Sequence, residues 1–117
     1  DTFSNEKEIE LKRSRDVLLI ESNLETLQGN LKNMSERQAF ARAQANPYLK
    51  DKRPVPQNIL EDIERANAEM LQTERLIAQK RLEIASTNQF YDELKKRFIE
   101  LTASAVTPGT PKKSTSQ

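Results

Sequence analysis

The sequence predicts an all-α fold, a long antiparallel two-helix coiled-coil hairpin that self-associates into a four-helix bundle. Three observations point there. Positions 59, 63, 66, 70, 73, 77, 80, 84, 87, 91, 94, 98 and 101 alternate steps of four and three without a break, and ten of these thirteen residues are apolar. Upstream, Val17, Ile20, Leu24, Leu27, Leu31, Met34, Gln38, Ala41, Ala45 and Tyr48 hold the same spacing, nine of ten apolar. Such a heptad keeps one stripe of a slightly underwound helix against a partner along its whole length. Between the two series lies a charged, proline-punctuated stretch too short to do anything but turn the chain back on itself.

The elements follow in order. Residues 1–4 form an N-terminal cap segment, and a first helix is expected over 5–46. Asn5 is suited to cap it, with Glu8 three residues on as in a capping box and Glu6, Glu8 and Glu10 facing the positive end of the helix dipole. Carried backwards, the heptad frame puts Arg13, Glu10 and Glu6 on the seam and leaves Ile9 and Leu11 off it. The first two turns therefore either shift register or pack loosely. Gly29 falls on an outward position, as a surface glycine. Asn46-Pro47 ends the helix, because proline lacks an N–H and biases the preceding residue away from helical angles.

Residues 47–55 are the hairpin turn, and a second helix is expected over 56–102, with Pro56 as its first residue. Centring the turn near Asp51-Lys52 makes facing seam residues sum to about 104. Ala45 then meets Ile59, Ala41 meets Ile63, Met34 meets Met70, Leu27 meets Ile77, Ile20 meets Ile84 and Phe3 reaches Leu101. Gln38, Thr73, Lys80 and Thr87 are polar seam positions, which set register at some cost in stability. Residues 103–117, rich in Ser, Thr and Pro, are expected to be a disordered tail. Thr110-Pro111-Lys112-Lys113 within it resembles a proline-directed phosphorylation site, a motif too short to outweigh a plain solvated tail.

Composition narrows the chemistry. The chain is 32% charged and 5% aromatic, too polar for a conventional globular core, and its net charge of +1 draws it to neither nucleic acid nor an anionic membrane. No apolar run approaches a membrane span. Without His or Cys there is no imidazole-activated nucleophile, thiolate or His-bearing metal motif. Two glycines cannot build a phosphate-cradling loop. The carboxylates on helical surface read as solvation and dipole partners, so no catalytic residue, metal site or cofactor is expected.

Two features could meet a partner. Leu60, Leu71 and Leu82 recur every eleven residues, close to three full turns, and are expected to form a second narrow stripe about one residue round from the seam. Leu76, Phe90, Ile99, Leu18, Leu19 and Phe40 add to an apolar face too wide for two helices to bury, which points to a second copy, another protein or a further part of the same polypeptide. At the turn, Tyr48, Lys50, Lys52 and Arg53 make a basic tip that could touch an RNA backbone. Asp51 interrupts the cluster, however, and three charges neutralise few phosphates.

Thr2 to Ile9, Arg15-Asp16, Arg53 to Pro56 leading into Ile59 to Glu64, and Tyr91-Asp92 with Lys96 to Leu101 resemble the C-terminal coiled-coil segment of a group of uncharacterised bacterial secreted or envelope proteins. Those carry a signal peptide and sometimes a small β-rich domain ahead of it. The resemblance implies a periplasmic or envelope location and transfers no active site. The expected role is a non-enzymatic structural or protein-interaction module. A periplasmic holdase-type chaperone arm and an RNA-binding helical arm are the alternatives.

Overall fold

The computed structural model describes residues 5–106. It is an α-helical hairpin of α1, Glu6–Lys50, and α2, Gln57–Val106. The expected cap segment with Phe3, and the tail from Thr107 on with Thr110, lie outside the described residues. Contacts divide the chain into a turn unit, Glu21–Leu82, and a terminal unit made of the chain up to Ile20 and from Glu83 onward.

α1 begins as its sequence predicts. Asn5 Oδ1 accepts the Glu8 N–H at 3.0 Å, so one of the helix's unsatisfied amides is capped by the side chain. Its end differs from expectation, for Pro47 lies inside the helix, which continues to Lys50. A proline forfeits only its own N–H, whereas its carbonyl still accepts the Asp51 amide at 3.2 Å. The stop is set by Lys52, whose φ of 56° is left-handed. With it, Lys52 N–H donates to Leu49 O at 3.1 Å and Arg53 N–H to Tyr48 O at 2.8 Å, the bond pair of a Schellman closure. Pro54 follows, where helix cannot resume.

Pro56 sits one residue ahead of α2, not within it, and its carbonyl accepts the amides of Ile59 and Leu60 at 3.0 and 3.2 Å. α2 then passes the expected end at 102 and takes in residues 103–106, so the predicted tail loses its first four residues to the helix. Two of those four, Ala103 and Ala105, are of the strongest helix-forming type, which favours the extension.

In the turn unit, every seam position of α1 from Leu24 to Tyr48 and of α2 from Ile59 to Lys80 is buried or half-buried. Ala41, Ala45, Ile59, Ala66, Thr73 and Ile77 are buried outright. Two of the polar seam residues find partners across the hairpin. Thr73 Oγ1 donates to Met34 Sδ at 3.4 Å, and Gln38 Nε2 donates to Asn67 Oδ1. Arg37 reaches Glu69 at 3.3 Å along the flank.

In the terminal unit the seam changes character. Ile9, which lies off the heptad frame, is fully buried, so the first turns of α1 shift register and do not pack loosely. Leu11 stays about half exposed. Across from Ile9, Glu10, Arg13, Asp16 and Val17, α2 turns Ile84, Thr87, Asn88, Tyr91, Leu94, Lys95 and Phe98 inward. Among the described residues of this unit Ile9 and Tyr91 alone are buried outright, and hydrogen-bonded charge joins the half-buried apolar residues in the seam.

Candidate functional site

The charged cluster is the most organised group of titratable side chains on the chain, and it was not legible from motifs. Arg13 lies at its centre, its side chain 18% exposed. It holds Asp92 Oδ1 at 2.6 Å and Glu10 Oε2 at 3.2 Å, and donates to the Asn88 backbone carbonyl and Oδ1 at 3.4 and 3.3 Å. Its Nε lies 3.2 Å from Glu10 Oε1 but off the hydrogen-bonding line. Lys95 Nζ donates to Glu10 Oε2 at 2.9 Å. One turn further along α1, the Tyr91 hydroxyl donates to Asp16, which Lys12 also approaches at 3.6 Å.

The ionisation of these groups follows from their partners. The Lys95 hydrogen bond and the nearby Arg13 charge hold the Glu10 carboxyl below its usual range. Asp92 raises Arg13, and Glu10 raises Lys95. Burial, reinforced by the Asp16 carboxylate, pushes the Tyr91 hydroxyl up to about 12. Each shift stabilises the state already present at neutral pH. A general acid or base needs the opposite, a pKa drawn toward the working pH, so the cluster is built as a clasp between α1 and α2.

Open grooves flank the helices, one of about 560 Å³ beside Glu6, Leu11 and Ser14 in the terminal unit and one of about 420 Å³ beside Met34, Gln72 and Thr73 in the turn unit. A shallow groove of about 240 Å³ in the turn unit is lined by Phe40, Ala41 and Ala66, with Arg37–Glu69 and Arg65–Asp62 on its rim. Those charges are already paired, at 3.3 and 3.1 Å. Among the described residues no group of acidic side chains could hold a metal ion, and no helix is long and apolar enough to cross a membrane.

The tip residues are brought together, and the helix stop accounts for most of them. Arg53 places its guanidinium 4.8 Å from the centre of the Tyr48 ring, where a closure of this kind usually has an apolar contact. It also reaches Asp51 at 3.4 Å. Lys52 occupies the left-handed position, and Lys50 lies exposed in the last turn.

The stripe on α2 is exposed, Leu60 at 45%, Leu71 at 49% and Leu82 at 69%. Its geometry departs from the expected narrow band alongside the seam. In a frame of 3.5 residues per turn, eleven residues overshoot three turns by about 50°. Leu60 therefore flanks the seam, Leu71 stands further out and Leu82 faces away from α1, which is why exposure rises along the row. No family model, curated protein or solved structure matches this chain.

Proposed function

We propose that the chain is a non-enzymatic structural and protein-interaction module of the bacterial cell envelope, in which a clasped hairpin holds an apolar row out to another protein surface. The observation that carries this reading is the row Leu60, Leu71, Leu82, each 45% exposed or more on a helix whose other side is fully engaged by the seam. Covering a fully exposed leucine is worth roughly 1.5–3 kcal/mol, and these three, about half to two-thirds exposed, would each contribute roughly half of that toward a partner's ordering. The envelope location rests on the resemblance of the cap, turn and helix-end residues.

The test is covalent capture from native cells with two baits, the unaltered chain and the triple variant Leu60→Glu, Leu71→Glu, Leu82→Glu. A protein retained by the first and lost from the second, at equal helicity by circular dichroism, is the expected outcome. Identical sets on both baits would sink the reading. The holdase alternative draws on the scatter of other exposed apolar groups, Leu18, Leu19, Phe40 and Phe90 at 59–67%. It expects the isolated chain to suppress client aggregation with or without the three leucines.

A further inference from the structure

The leucine row maps onto itself when it is reversed, and the residues between the leucines suit that reversal. A straight line on α2 through the three leucines passes Leu60, Glu64, Asn67, Leu71, Arg75, Ala78 and Leu82, and all seven are exposed. Reversed about Leu71, Leu60 falls on Leu82, Glu64 on Ala78 and Asn67 on Arg75. The small Ala78 leaves the Glu64 carboxylate room to lean along the axis. Arg75 of a reversed copy stands three residues, about 4.5 Å along that axis, from Glu64. That is within reach of a guanidinium on its flexible stem.

We infer that the occupant of this row is a second copy of the chain, docked antiparallel through a two-fold axis at Leu71. The inference rests on the interaction reading above and names its partner. A two-fold contact must be self-complementary, each patch meeting its own image. The reversed arrangement stacks three leucine pairs and sets Glu64 beside Arg75 of the second copy, twice by symmetry. The parallel arrangement is excluded by charge, because it lays Glu64 on Glu64 and Arg75 on Arg75. Neither residue has an ion-pair or hydrogen-bond partner within its own chain among the described residues, so both charges are available across the contact. All seven positions belong to the turn unit, so the contact needs nothing from the rest of the chain.

The absence of cysteine makes the register directly measurable. Three full-length single variants are oxidised under mild conditions, Leu71→Cys, Leu60→Cys and Leu82→Cys. Leu71→Cys alone is expected to form a disulfide-linked dimer. Leu60→Cys alone and Leu82→Cys alone are not, since identical residues lie about 33 Å apart in the reversed pair. An equimolar mixture of those two does crosslink. Charge reversal gives a second readout in sedimentation equilibrium: Glu64→Arg or Arg75→Glu weakens association about tenfold, and the two together restore it.

Self-crosslinking of Leu60→Cys as readily as Leu71→Cys would overturn the antiparallel register. So would a double charge reversal no better than either single one. Absence of every crosslink, with a monomer of 13.5 kDa at tens of micromolar, would overturn self-pairing altogether. If the leucine-dependent capture from cells still succeeds in that case, the occupant is a different protein and the interaction reading stands. If capture fails as well, both fall.

Discussion

Arg13 on α1 grips Asp92 on α2 at 2.6 Å, although Asp92 is itself two-thirds exposed. An isolated surface pair of this kind contributes little. Here the guanidinium is largely covered by the hairpin and shared with Glu10 and Asn88, so its removal takes away several contacts between the helices at once, although Glu10 keeps Lys95.

Arg13→Ala is expected to lower the stability of the hairpin by about 1–2 kcal/mol, through lost packing of the stem and lost hydrogen bonds together. Arg13→Met keeps the stem and should recover a good part of that loss. Urea unfolding of both variants at low and high salt checks this. Equal losses in the two variants would show that the stem contributes nothing, and full recovery in Arg13→Met, unaffected by salt, would show that the charge contributes nothing.

Stability should fall at both ends of the pH scale. Glu10 is lowered in the folded state, so its contribution is present above its usual pKa of 4.5 and disappears as pH drops through the folded value. Tyr91 and Lys95 are raised, so theirs is complete below their ordinary pKa values of 10.0 and 10.5 and is lost as pH climbs, for Tyr91 toward about 12. A plateau between roughly pH 5 and pH 9.5 is expected in thermal unfolding. Tyr91→Phe should flatten the alkaline limb, and tyrosinate absorbance in a Tyr48→Phe background should report a single hydroxyl titrating near 12. Titration of that hydroxyl at the ordinary value of 10.0 would contradict its burial.

Glycine and lysine are placed against local preference, and exchanging them should help. Nothing lies within 4 Å of where a Cβ on Gly29 would sit, so Gly29→Ala is expected to add about 0.5–1 kcal/mol. Lys52 holds a left-handed φ of 56° that glycine adopts freely, and Lys52→Gly is expected to add a similar amount, about 0.5–1 kcal/mol. Denaturant midpoints measure both. A loss from Lys52→Gly would mean that its side chain, and not the backbone turn, closes α1.

The seam was legible because burial in a coiled coil follows spacing, and spacing survives in a one-dimensional text. Every predicted position from Val17 to Tyr48 and from Ile59 to Phe98 is turned inward. Leu101, the last of the series, is 65% exposed. What escaped were features set by a partner's height on the other helix. Glu10 and Arg13 looked like flaws in a heptad because their worth lies in Lys95, Asn88 and Asp92, about eighty residues away along the chain. Ile9 was off frame for the same reason. Pro47 misled in the other direction: its local rule is real, but a proline in the last turns of a helix forfeits only one bond, and the stop belongs to Lys52 and Arg53. The leucine row was visible by its period, yet its drift across α2 required a heptad frame to be measured against.

That drift bounds what can follow the row. Seven-residue and eleven-residue periods share one helix, and over two steps they part by about 100°. A partner running along the leucines must cross the hairpin obliquely and leave its surface after about three contacts. The footprint is finite from its geometry, whichever surface covers it.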